Sequence, residues 1–431
     1  MDTVIGILLL VSFFGLVYLA IRGKNMTVLL FFTAILWGIL AIIGGRFTFD
    51  DMQSQEIQAA MVSYGGNLVS LMFGAWLGKI LVETNIAGTL IRKTAELGGD
   101  RAGLTMVLLN IVTVLIFTSS YGVGIVMAIG FIILPILTSL GVPKKLASAS
   151  YIMSLTAGVF INPGALIYWS MVFPDLDINS GHFRLFVFIA AGITLVLAIT
   201  MSLIGLSRSK KVHAWAVEVS EPQDVSARKV PGYALVTPIL PVLLVFLVNI
   251  QIIPALIITI FLAMLLTGRL RKPSQAQTFM LKAFGDGISE IGLLFAFLLG
   301  VAMLNQIGNV CAPFFQAVLG SIIPKNPLII LIAFIILAPL AMYRGPLTMF
   351  GTGVATATIL VSTGYFPPSL IYILICSVST LMTMTCCPTQ SWTQWCVGYM
   401  KITSTDFIKQ TIVYVWIAAA LSMIVGYIMY V

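Results

Sequence analysis

The side chain with the sharpest chemical signal is Arg344, which stands beside Gly345-Pro346 inside the apolar stretch 328–361. A guanidinium stays charged in a protein and is costly at membrane depth unless something answers it. Placed at the tip of a chain reversal, it is suited to gripping a carboxylate through two parallel hydrogen bonds. The competing readings are a surface arginine and a structural partner of Glu290. Hydroxyls and amides recur at similar interruptions: Ser119 and Ser120 within Thr118-Ser119-Ser120-Tyr121-Gly122, Asn162 before Pro163-Gly164, and Thr389 with Gln390 after Pro388. Thr348 joins this set more weakly. Such groups can bind substrate hydroxyls, or they can simply cap frayed helix ends.

Acid–base chemistry has fewer candidates. Asp286 and Glu290 are four apart and so share a helix face. Asp286 lies near Lys282 and a membrane edge. Glu290 lies deeper, where a carboxyl can carry a proton or sit in a permanent ion pair. Glu83 with Lys79 reads as an interfacial pair of the same four-residue spacing. His182 and His213 fall in loops, which removes a histidine proton relay. The five cysteines show no metal-ligand spacing and read as small buried apolar residues. No catalytic residue, metal site or cofactor is expected.

The elements that must hold these groups follow from composition. Hydrophobic residues make up 59% of the 431 and charged residues 9%, against about a quarter charged in soluble domains. Mean hydropathy is +1.07. Apolar runs such as 3–21 and 26–43 are near the length of a bilayer crossing. The chain is an all-α polytopic membrane protein, and soluble enzymes, nucleic-acid binders and disulfide scaffolds are excluded. Its net charge of +8 is the positive-inside bias rather than an affinity for nucleic acid.

Residues 103–141 begin at Arg101 and end at Lys144-Lys145, with two arms shorter than the ~20 residues of a crossing. They read as a re-entrant hairpin from the cytoplasm, two short crossings being the alternative. Residues 146–173 are broken at Asn162-Pro163-Gly164, since proline and glycine interrupt a helix. After the polar linker 207–232 the plan repeats from the opposite side. Residues 233–248 go out and 252–267 return, then 279–304 go out again. The segment 306–323 matches 84–98, a second hairpin (328–361) enters from outside, and 369–397 is broken at Cys386–Gln390. The run Leu71-Met-Phe-Gly-Ala-Trp-Leu-Gly78 resembles Leu293-Leu-Phe-Ala-Phe-Leu-Leu-Gly300, and Asn162-Pro163 followed by Trp169 parallels Cys387-Pro388 followed by Trp395. The expected architecture is two inverted repeats, 1–206 and 233–431, with about ten transmembrane helices, two hairpins and two broken helices. Of 23 Lys and Arg, only Arg46, Arg184 and Lys325 then fall outside, with Arg344 at a hairpin tip. Asp2, Asp50, Asp51, Glu56, Asp175 and Asp177 also fall outside, as do both termini.

At the hairpins and breaks the sequence resembles the ion transporter superfamily, and within it the gluconate permease family. The carrying stretches are Phe73-Gly-Ala-Trp-Leu-Gly-Lys-Ile-Leu with Ala87-Gly-Thr-Leu-Ile, then Arg344 followed by Gly351-Thr-Gly-Val-Ala-Thr-Ala. Phe160-Ile-Asn-Pro-Gly stands where gluconate permeases carry Pro-Pro-His-Pro-Gly, and the Ser-Asn-Thr motifs of sodium-coupled dicarboxylate carriers are missing at both hairpins. Citrate and C4-dicarboxylate carriers therefore stay open as alternatives. The resemblance implies a homodimer in the bacterial inner membrane that moves a small organic anion, such as a sugar acid, by an elevator motion, with proton or sodium coupling. A channel or a membrane-embedded enzyme fits less well. A channel does not need opposed hairpins, an enzyme needs a nucleophile–base or metal constellation, and no Walker A loop marks a primary pump.

Overall fold

The computed structural model describes residues 1–22, 24–173, 175–208, 230–320, 323–350 and 352–431. The described residues form helices and turns with no strand among them. Most of the linker expected at 207–232, including His213, lies outside the described residues.

Seven helices are long and apolar enough to cross a membrane: Asp2–Ala20, Met26–Ile43, Phe49–Glu83, Gly181–Arg208, Pro273–Leu319, Pro368–Met400 and Ser404–Tyr430. An eighth is the pair Lys144–Val159 and Pro163–Ser170, bent by 66° where Asn162-Pro163-Gly164 interrupts it. Two further apolar helices, Gly232–Phe246 and Ile252–Leu266, are shorter than the ~20 residues of a crossing. The first is short because it opens as a 3-10 turn, Gly232–Ile239, carrying Pro238, and only Leu240–Phe246 is α-helical. The chain is an all-α polytopic membrane protein.

Each stretch expected as a re-entrant hairpin is a pair of short helices, called a hairpin below. The first hairpin is Ala102–Phe117 and Val123–Ser139. The second is Pro327–Leu337, a 3-10 turn Ala338–Arg344, and Gly353–Ser362. The second broken helix runs as Pro368–Val378, a π turn Ser379–Cys386, a gap at 387–390, and Ser391–Met400.

Three expectations change. The segments 279–304 and 306–323 are not separate. They belong to one continuous helix, Pro273–Leu319, because nothing at Asn305-Gln306 breaks it. The corresponding break in the first half is made by Asn85, whose left-handed φ of 62° ends one helix and starts Ile86–Gly98. That second piece is amphipathic, with Ile86, Ile91 and Thr94 buried and Arg92 and Lys93 exposed. His182 lies exposed in the first turn of Gly181–Arg208 rather than in a loop. Glu56 is not in an exposed loop but fully buried in a π turn, Met52–Ala59.

The polar contacts between elements join ends that the charge bias puts on one face. Arg46 pairs with Asp2 at 2.6 Å and Lys145 with Asp406 at 3.3 Å. Arg184 donates to Asn249 at 2.8 Å, and Arg269 donates to the Glu83 carbonyl at 3.2 Å. Between the two faces the long helix Pro273–Leu319 lies against Met26–Ile43, Gly65–Glu83, Asp2–Ile21 and Gly353–Ser362.

The broken helices occupy the interior: every residue from Leu146 to Val159 is buried. Lipid offers no hydrophobic drive for such packing, so small and hydroxyl-bearing residues supply it by close approach and hydrogen bonding. A Cβ on Gly158 would stand 2.6 Å from the Val114 carbonyl oxygen. Asn110, Ser150 and Ser202 bond one another across three helices, with Asn110 donating to Ser202 at 3.1 Å and Ser150 donating to Asn110 at 2.5 Å.

Candidate functional site

Asn162 ends one half of the first broken helix and caps the next. Its Oδ1 accepts from the Gly164 and Ala165 amides at 2.8 and 3.3 Å, which satisfies the donors a helix start leaves open. Its Nδ2 donates to the Phe117 and Ser120 carbonyls at 2.8 and 3.1 Å. All four bonding positions of the amide are thus used, and the side chain ties the first break to the tip of the first hairpin. Ser119 and Ser120, on that tip, are buried, and neither hydroxyl has a hydrogen-bond partner among the described residues. Thr118 beside them donates to the Pro238 carbonyl at 3.1 Å.

The second half is built differently. Thr348 Oγ1 accepts from Thr383 at 2.7 Å, lies 3.1 Å from Ser379 Oγ and accepts from the Phe350 amide at 3.3 Å. Ser379 Oγ also accepts from the Met349 amide at 3.1 Å. These hydroxyls lace the second hairpin onto the π turn of the second broken helix. Tyr343, with a left-handed φ of 55°, donates its amide to Cys387 Sγ at 3.1 Å. Gly345 follows because a Cβ there would collide with the Leu340 carbonyl. Thr389 Oγ1 is 2.9 Å from Cys387 Sγ. Gln390 is the residue before the helix Ser391–Met400 and makes no side-chain cap, so that helix start keeps open amides. Arg344 is placed by its backbone next to Tyr343 and hence to the second break, while its side chain lies outside the described residues.

The four interruptions form one cluster. Tyr121 of the first tip packs edge-on against Trp392 of the second broken helix, with ring centroids 6.0 Å apart. In the opposite sense, Phe350 of the second hairpin stacks on Tyr168 of the first broken helix at 4.8 Å. Thr385 donates to Thr156 at 2.9 Å and so joins the two broken helices just before their breaks. Between the first tip, the first break and the helix Gly65–Glu83 runs a narrow cleft lined by Ser119, Tyr121, Asn162, Gly164, Gly74 and Ile291. It leaves about 10 Å³ to a water molecule, room for roughly one.

Glu290 stands at the rim of the first tip, where a Cβ on Gly124 would collide with its carboxylate. It forms an ion pair with Lys79. The pairing expected between Lys79 and Glu83 is thereby replaced, because the helices carrying Lys79 and Glu290 pack tightly: a Cβ on Gly287 would stand 3.1 Å from the Ala75 carbonyl carbon. Both partners are about one-fifth exposed. Asp286, one turn away, is half-buried. The five cysteines are buried and free.

Sequence reasoning missed the lacing residues Ser379 and Thr383, the Thr156–Thr385 contact, and the aromatic pairs. The available signal was the density of hydroxyls in otherwise apolar spans, Ser377 to Thr385 and Ser148 to Thr156.

No protein-family model matches the chain, and no curated protein matches it by sequence. Among solved structures, it is similar to the YdaH transporter of Alcanivorax borkumensis, whose crystal structure is described as having an unusual topology. The TM-score is 0.58 over 94% of this chain and 98% of that one, at 14% identity. At that identity the likeness speaks for the fold alone, that of an all-α polytopic membrane protein.

Proposed function

We propose that this protein is a secondary active transporter of a small organic anion, a carboxylate of the sugar-acid class such as gluconate, coupled to proton symport. The observation that carries the reading is the meeting of two hairpins and two broken helices in one buried cluster. Helix starts at 123 and 391 bring amide donors to its interruptions, and amide donors at helix starts favour an anion. Ser119 and Ser120 add hydroxyls that have no other partner among the described residues, and Arg344, Thr348, Thr389 and Gln390 belong to the opposite side of the same cluster. Arg344 would take the carboxylate, and the hydroxyls and the Gln390 amide would take substrate hydroxyls. Asn162 would contribute by holding the tip in place.

Coupling in this reading runs through Glu290, with Asp286 as its secondary candidate. A proton on Glu290 would weaken its pair with Lys79 and loosen the two helices that hold the first hairpin tip. The cluster of hairpins and breaks would then move against the helices around it, as in an elevator. Two inverted repeats, a homodimer, termini outside and a place in the bacterial inner membrane complete the proposal, and no enzymatic activity is assigned.

The test is solute uptake in proteoliposomes, scanning gluconate, other sugar acids, citrate and C4-dicarboxylates, with a pH dye and with sodium added or omitted. Proton movement with one anion in the absence of sodium supports the proposal. Activity that requires sodium favours the alternative, a sodium-coupled di- or tricarboxylate carrier or exchanger, and removes Glu290 as the coupling group. Arg344→Ala should abolish uptake in folded protein, and wild-type affinity in that variant would remove its role.

A further inference from the structure

The π turn Met52–Ala59 turns its polar side chains Gln53, Ser54, Gln55 and Gln58 outward and its one acid, Glu56, inward. Glu56 is 0% exposed, and neither carboxylate oxygen has a hydrogen-bond partner among the described residues. It lies in a notch at Gly38, where a Cβ would collide with Oε2.

Among the described residues, no element packed around it supplies a counter-charge. Met26–Ile43, which carries the notch, has no charged or titratable residue. The long helix has no charged residue after Glu290, and its one titratable group there is Cys311, whose Sγ lies 3.9 Å from the Trp37 carbonyl beside the notch. The Ala60–Ser63 turn has none, and Tyr64 after it receives a hydrogen bond from Asn305. The acids Asp50 and Asp51 on the preceding turn have the same sign as Glu56. Arg46 pairs with Asp2.

An ionised carboxylate in such a place would bear the full cost of desolvation, several kcal/mol, whereas the neutral acid avoids most of it. A metal ion is poorly served, because hard cations need several oxygen ligands and no group of three or more His, Cys, Asp or Glu side chains stands together among the described residues.

We propose that Glu56 is a proton-binding site separate from the anion cluster, holding a proton while seated in the Gly38 notch. The π turn supplies the means of release. Such a turn carries one residue more than an α-helix, so rewinding it shifts the register by about 100° per residue and swings the carboxyl out. The proton then leaves to the aqueous face that Gln53, Ser54, Gln55 and Gln58 line. Glu290 differs in kind, since it is paired with Lys79.

The test uses the full chain in lipid nanodiscs and does not depend on what is transported. Infrared spectra at neutral pH should contain the carbonyl stretch of a protonated carboxylic acid that is lost in Glu56→Gln. The same band should be lost in Gly38→Ala, which fills the notch. The Gln variant, a neutral isostere, should melt with the wild type at mildly acidic pH and above it at alkaline pH, where the wild type must give up its proton or keep it at a cost. Identical wild-type and Glu56→Gln spectra would overturn the proposal, as would a Gln variant that fails to fold or melts lower at every pH. Sodium ion raising the melting temperature of the wild type but not of Glu56→Gln would replace the proton by a cation and equally overturn it.

Discussion

The two halves solve the same problem, a helix broken inside a membrane protein, with opposite chemistry. In the first, one amide does the holding: Asn162 spends all four of its bonds on the break and the hairpin tip, and the serine hydroxyls beside it are left over. In the second, hydroxyls do the holding through Thr348, Ser379 and Thr383, while the helix start at Gln390 is left uncapped. Backbone groups freed by a break must be satisfied somewhere within the protein. Each half meets that demand with one kind of polar group and keeps the other kind uncommitted. Taken together, the cluster offers hydroxyls from one side and amides from the other, the mixed lining on which the proposed function rests.

The comparison can be broken most severely at Asn162. Asn162→Ala removes four bonds and strands two buried carbonyls, so it should cost about 3 kcal/mol, read as a large fall in the melting temperature of the purified protein. A loss close to zero would mean that the first break does not depend on its amide. Next, Thr348→Val keeps the shape but unlaces the second hairpin, with an expected loss of about 2 kcal/mol spread over several hydroxyls. If a Thr348→Val, Ser379→Ala double variant loses no more than the worse single variant, the lacing acts as one unit.

A smaller effect belongs to the ion pair. In a double-mutant cycle of Lys79→Met and Glu290→Gln, the coupling energy should be about 1 kcal/mol, because both partners retain some exposure. Additive losses would remove the pair as a latch. Smallest in stability is Ser120→Ala, which should leave the unfolding free energy within about 0.5 kcal/mol of wild type or raise it, since an unpartnered buried hydroxyl is lost. Uptake should separate it from Thr348→Val: Ser120→Ala should raise KM roughly tenfold, about 1.4 kcal/mol, without a matching loss of folded protein.

Much of this arrangement can be read from the residues. Prolines and glycines next to short polar runs in apolar spans mark the breaks at 162–164 and 387–390, because those residues alter the backbone directly. What pairs with what is less legible. Lys79 has an acid four residues away in Glu83 and bonds one 211 positions away in Glu290 instead, since the choice is made by which helices touch. The long helix hides its own continuity in the polar pair Asn305-Gln306, which in the sequence looks like a break. Asn305 instead turns its amide to the Val172 carbonyl and to Tyr64 at the packed interface. Glu56 was misplaced for a related reason: a polar stretch near a membrane surface reads as exposed, and only the opposing Gly38 reveals that its acid faces inward.

Thr118 at the first hairpin tip bonds the carbonyl of Pro238, and Glu290 lies against Gly124 of the same tip. Both partners belong to a part of the chain that a ribosome makes later than the hairpin. During synthesis the first hairpin must therefore enter the bilayer and wait, its polar tip unanchored, until more than a hundred further residues have followed. Biogenesis has a built-in order: the first half is committed to the membrane early and is fastened late. A premature stop before Pro238 would leave the hairpin without either anchor, a form for quality-control proteases to recognise.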